Sequence, residues 1–289
     1  MPTVRPAAVA GAFYPGDPLA LAAQLGELLA SPAPGGEADG VPKAVIVPHA
    51  GYIYSGAIAA RAYEALAPAR DRVTRVVLLG PVHRVPVRGL ALPGVDAFAT
   101  PLGRVPLDAD ATRVLAELPQ VVTSPAAHAL EHSLEVQLPF LQKVLGGFSL
   151  VPLAVGDASV TEVAEVIERL WGGSETVFVL STDLSHYHGY QEAKRIDGAT
   201  LARIASLASD LNHEQACGAT PLNGLLRVAR NKGLSIRLLA ACNSGDTAGD
   251  RARVVGYSSF ALYEPGGATS RDEQGRTLLG IARGAIGSQ

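Results

Sequence analysis

Four short apolar runs set the rhythm of this chain, at residues 44–47, 75–80, 148–155 and 176–180. Each is built from Val, Ile, Leu or Phe with almost no polar interruption. That is the pattern of strands buried on both faces. Between the runs the period lengthens to that of a helix. Leu19, Leu21, Leu25 and Leu28–Leu29 form a stripe behind the cap Asp17 and the first-turn Pro18, predicting a helix to about residue 30. Similar spacing predicts helices over 55–66, from the cap Asp108 to 118, over 134–142 behind Ser133, over 159–171, over 192–209, and from Thr220 to near 233. Residues 88–92, 235–240 and 253–263 read as further strands.

Strands alternating with helices call for an α/β fold with a sheet covered on both faces. Residues 31–40 are rich in Pro, Gly and Ser and read as a surface loop. No low-complexity linker divides the chain before residue 264, so 4–263 reads as one domain. A polar link at 264–272 then leads to a short amphipathic piece at 275–286.

Composition narrows the function classes. The chain has 289 residues, 48% of them hydrophobic and 18% charged, enough for a sizeable core. A net charge of −3 offers no field for nucleic acid or an anionic membrane. The N-terminus has no signal-type apolar region, and no apolar run reaches the ~18 residues a bilayer span requires. A soluble, cytoplasmic protein is expected. Two cysteines, Cys217 and Cys242, read in that compartment as ligand, nucleophile or core filler rather than a disulfide.

The reactive side chains sit where strands end. His49, His83 and His186 each follow a buried run, at the edge where open α/β sheets bind ligands. One loop histidine alone reads as a hydrogen-bonded surface residue. Three in equivalent positions, with Asp183 three residues before His186, point to one shared site. Two imidazoles plus one anionic donor describe a reactive mononuclear metal site, with Asp183, Glu131, Cys217 and Cys242 as candidates for the third ligand. Cys217 lies just before a predicted helix, whose positive end would favour the thiolate. Asp183 reads either as an acid/base or orienting partner of an imidazole, or as a turn residue; His132 after Glu131 is equally open. Asn243-Ser244-Gly245-Asp246 is an anion-binding or a plain turn. The nucleophile elbow Gly-x-Ser-x-Gly and the phosphate loop Gly-x-x-x-x-Gly-Lys-Ser are both missing.

Taken together, the motifs resemble one family. They are Val47-Pro48-His49-Ala50-Gly51-Tyr52 with Ser55-Gly56, Gly80-Pro81-x-His83, Glu131-His132-Ser133-Leu134-Glu135, Ser181-x-Asp183-x-Ser185-His186, and Asn243-Ser244-Gly245-Asp246 followed by Val254-Val255-Gly256-Tyr257. With Ala10-Gly11-x-Phe13-Tyr14-Pro15, they resemble the MEMO family, whose microbial members are also called AmmeMemoRadiSam system protein B. The resemblance implies a three-layer αβα sandwich around a mainly parallel, mixed sheet, similar to class III extradiol dioxygenases. It implies one iron or copper ion per chain, held by His49, His83 and Cys217, where the dioxygenases have glutamate in place of the cysteine. His186 would be the acid/base, with Asp183 and His132 lining the pocket. A small molecule or peptide would occupy that pocket, and AMMECR1-like and radical SAM proteins would be partners. The functions it implies are a redox-type metal protein, a catechol-cleaving dioxygenase, or a peptide-binding module without turnover. The tail at 278–286 resembles the opening helix of an AMMECR1-type domain.

Overall fold

A computed structural model describes residues 2–30 and 40–265. The expected link and tail beyond 265 lie outside the described residues. In chain order the strands are β1 (Val4–Arg5), β2 (Ala44–Val47), β3 (Arg75–Pro81), β4 (Leu90–Leu92), β5 (Ala97–Thr100), β6 (Gly103–Pro106), β7 (Val121–Thr123), β8 (Ser149–Val155), β9 (Thr176–Ser181), β10 (His186–His188), β11 (Ser235–Asn243) and β12 (Val254–Tyr263). The helices are α1 (Pro18–Leu29), α2 (Tyr52–Leu66), α3 (Ala109–Leu115), α4 (Pro125–Ala129), α5 (Leu138–Val144), α6 (Val160–Arg169), α7 (Tyr190–Ala205) and α8 (Ala219–Asn231).

The main sheet runs in the order β10-β12-β2-β9-β3-β8-β4-β7, with β11 also pairing to β12. Its centre is parallel: β2 with β9, β9 with β3, and β3 with β8. The flanks are mixed, since β4 runs antiparallel to β8, and β12 antiparallel to β2, β10 and β11. The four central strands therefore end at one edge.

Alternation along each strand divides the apolar residues between two cores. Ile46, Leu79, Leu153, Leu180 and Phe260 pack with α3, α6, α7 and α8. Val45, Val47, Leu78, Ala154 and Val179 pack with α1, α2 and α5 on the opposite face. This is the expected three-layer α/β arrangement, and it explains why the central runs are apolar beyond their first residues: neither face meets water.

Several elements depart from the sequence expectation. The helix after β2 begins at Tyr52, not Ser55. Ser133 caps no helix; its Oγ donates to the Pro81 carbonyl at 2.8 Å, and a 3-10 turn (Glu135–Gln137) leads into α5. Thr220 lies inside the first turn of α8, which starts on Gly218 with no side-chain cap. A small sheet, β1-β5-β6, was invisible in the pattern, as its strands have two to four residues and too little alternation to register.

Candidate metal centre

Three adjacent strands build the site. His49 follows β2, Asp183 follows β9 and His83 follows β3, all at the shared edge. Strand spacing of about 5 Å brings their tips within side-chain reach. Cys217 arrives from the loop before α8. Its amide donates to the Asp183 carbonyl at 3.2 Å. Gly218 lets this loop close on β9, because a Cβ there would lie 2.9 Å from the Ser181 carbonyl oxygen.

His49, His83 and Cys217 converge. One donor atom from each falls within 4.8 Å of the others, and Cys217 Sγ lies 3.3 Å from His49 Nε2. His49 is fully buried, Cys217 is half-buried, and His83 is exposed towards a cleft of about 370 Å³. Pro81, Pro86, Val87 and Val155 form the apolar part of that cleft. His213 stands at its rim, with Nδ1 3.1 Å from the Cys217 carbonyl.

The site is braced from behind. Asp183 Oδ1 accepts the His49 amide at 2.8 Å, and His49 Nδ1 meets Ser181 Oγ at 2.8 Å. Glu131 Oε2 accepts the His83 amide at 2.7 Å, and Glu131 Oε1 meets His83 Nδ1 at 2.8 Å. Sequence reasoning offered Glu131 as a possible third ligand. Its carboxylate instead lies behind His83 and also takes the amides of His132 and Ser133, both at 2.9 Å. Ser181 and Gln137 were given no role in the site: Ser181 closes an apolar run and entered only as part of a motif, and Gln137 fits helical spacing. Cys242 ends β11 outside the cluster.

His132 stacks on His83 with ring centroids 4.6 Å apart and lies against Phe13 at 4.8 Å. His186 points Nδ1 at the Leu184 carbonyl at 2.8 Å, and no hydrogen bond among the described residues joins it to the three donors. It precedes Tyr187, an exposed residue in the left-handed region at φ 63°. The loop from 183 to 186 is held by Gly256, whose carbonyl takes the Leu184 amide at 2.8 Å and whose amide donates to the Ser185 carbonyl at 2.9 Å. The turn at Asn243 is a plain one: Asn243 Oδ1 and Asp246 Oδ2 satisfy its own backbone.

Electrostatics favour the neutral forms of His49 and Cys217. Burial holds His49 well below the usual imidazole range, and His83, His132 and His186 push the same way. Burial also takes His132 down to about 4 and lowers His186. Burial opposes ionisation of Glu131, but His83 and the surrounding amides outweigh it and hold the carboxyl at about 2. Burial lifts Asp183 to about 7, against the pull of the His49 amide and His83. The Cys217 thiol corrects the sequence expectation. Burial and the Asp183 carboxylate push it up to about 12, so the start of α8 does not by itself make a thiolate.

Residues 5–261 match the family described as Memo-like protein. A MEMO1 family protein of Aeropyrum pernix is 38% identical over 234 residues, covering 76% of this chain and 83% of that protein. MEMO1 family protein MK0963 of Methanopyrus kandleri is 35% identical over 89% of this chain and 98% of its own length. One from Aquifex aeolicus is 35% identical over 88% and 97%. A solved Escherichia coli K12 structure, titled uncharacterized protein JW3007, aligns at 13% identity with a TM-score of 0.44, too distant to bear on the fold. This chain belongs to the MEMO family. Among the described residues no helix is long and apolar enough to cross a membrane.

Proposed function

We propose that this chain is a redox-type metal protein that holds one iron or copper ion between His49, His83 and Cys217. The carrying observation is the convergence of two imidazole nitrogens and one sulfur within 4.8 Å of one another. The donor chemistry fits: a soft thiolate with two neutral imidazoles suits copper(I) more than the carboxylate-bearing iron sites of ring-cleaving dioxygenases, and it accepts iron. The ion would supply one-electron redox chemistry and an open coordination position.

The chain's own residues do the rest. The His49 imidazole is a ready donor because burial disfavours its protonated form. Cys217 would have to give up its proton to hold an ion, and Asp183, lifted to about 7, is the neighbouring group able to take it near neutral pH. His186 donates its Nδ1 proton to Leu184 and keeps Nε2 available for proton transfer to or from a bound molecule. His132 and Phe13 close the inner side.

The test is metal analysis and competitive titration of wild type, His49→Ala, His83→Ala and Cys217→Ser. One ion per wild-type chain and loss of binding in the variants is expected. Equal copper and iron uptake in all four proteins would refute the reading. Extradiol cleavage is the second reading, favoured by a cleft of about 370 Å³ beside His83 and Cys217, room for a catechol-sized molecule. Iron-loaded protein that opens no ring across a catechol panel rules it out.

A further inference from the structure

We propose that the segment 131–137, acting with Ser181, fixes the tautomer of both ligand imidazoles, so that His49 and His83 present bare Nε2 atoms before any ion arrives. Glu131, Gln137 and Ser181 are positioning residues on this view. The inference rests on the metal reading above for its purpose, but its geometry stands apart from it.

Each proton can be placed by counting donors and acceptors. Tyr63 Oη donates to Gln137 Oε1 at 2.7 Å, which fixes the orientation of that amide. Gln137 Nε2 then donates to the Pro48 carbonyl and to Ser181 Oγ, both at 2.9 Å. Ser181 has one proton and sends it to the Ser133 carbonyl at 2.7 Å. Its remaining capacity is acceptance, so His49 Nδ1 at 2.8 Å must carry the hydrogen. Nε2 of His49 is left bare, facing the Cys217 sulfur. Glu131 is a carboxylate and only accepts, so His83 Nδ1 is a donor, and in the neutral ring that leaves its Nε2 bare.

The same segment therefore reaches both imidazoles. Glu131 holds the ring and the amide of His83; Ser133 and Gln137 hold the hydroxyl that holds His49. His83, Glu131 and His132 also cluster within 4.8 Å and could be taken for a second cation site. Four N–H groups already occupy the two Glu131 oxygens, which makes this cluster a brace for the first site. Neutral imidazole in water favours the opposite tautomer. Pre-setting the Nδ1–H form spares the ion that cost, in the manner of carboxylate–histidine–metal triads.

The experiment is a long-range proton–nitrogen correlation spectrum of chelator-treated, 15N-histidine-labelled protein. Wild type is expected to show protonated Nδ1 and unprotonated Nε2 at both His49 and His83. Glu131→Gln should convert His83 to a tautomer mixture and leave His49 unchanged. Ser181→Ala should do the reverse. In each variant copper(I) affinity, read by competition with a chromophoric chelator, should fall about 10–100-fold. A protonated Nε2 at either residue in wild type overturns the inference without any variant having to fold. Unchanged tautomers in both variants overturn it as well. Correct tautomers in a wild type that takes up no copper or iron would support the brace and defeat the metal reading instead.

Discussion

Glu135 ties the N-terminal arm to the site, and its removal has a calculable effect. The carboxylate is fully buried and accepts Arg5 Nη1 at 2.6 Å, Tyr14 Oη at 2.6 Å, and the amides of Ala8 and Val9 at 2.8 and 2.9 Å. Arg5 is itself buried, and besides Glu135 it donates only to backbone carbonyls among the described residues, those of Pro6, His128 and Glu131. Glu135→Ala leaves a buried guanidinium without its counter-ion, which costs roughly 3–5 kcal/mol. The orphaned amides and hydroxyl add to that only where water cannot reach them. At about 2–4 °C per kcal/mol, the melting temperature should drop by roughly 6–20 °C. Phe13 rides on the same arm against His132, so the ring signals of His132 should shift too. The assay is thermal and urea unfolding of metal-free protein, with Arg113→Gln as control. Arg113 pairs with Asp110 on the open surface, and its loss should change stability by less than about 0.5 kcal/mol. A Glu135→Ala loss no larger than that of the control would refute the argument that this pair anchors the arm.

Two further outcomes follow from packing and burial. A Cβ on Gly224 would lie 2.3 Å from Val163 Cγ1, so Gly224→Ala should push α6 from α8 and destabilise by about 1–3 kcal/mol, with Val163→Ala added to the same chain restoring part of the loss; a net gain, as helix propensity alone would give, contradicts this close packing. Burial lifts the Asp197 carboxyl to about 6 against the hydrogen bond from Ser185. The folded state then holds this proton to higher pH than the unfolded chain, so the contribution is complete below about pH 4 and is lost as pH rises through 6. Asp197→Asn should therefore gain stability relative to wild type as pH rises from about 5 to about 8, by roughly 1.4 kcal/mol; a difference that does not change with pH in urea unfolding would contradict it.

The centre of the sheet was legible because strands buried on both faces leave an uninterrupted apolar signature, and His49, His83 and Asp183 were legible because they stand where that signature stops. The convergence with Cys217 was legible only through the family resemblance, not in the local pattern. It depends on Gly218 docking against β9 from a loop whose sequence carries no period. The rear of the site was hidden for a different reason. Ser181 and Gln137 act through hydrogen bonds to partners 44 to 132 residues away, and Glu131, legible only as a candidate ligand, braces His83 from 48 residues away; no local pattern reports such pairings. Asp197 was hidden within helical spacing on α7, where a carboxylate reads as surface until its packing partner is known.

The most direct measurement is an anomalous difference map at the copper and iron edges from crystals of metal-loaded protein. The account predicts one peak per chain, bounded by His49 Nε2, His83 Nε2 and Cys217 Sγ. A peak on other residues, or none at that point in protein shown to carry the metal, would contradict it.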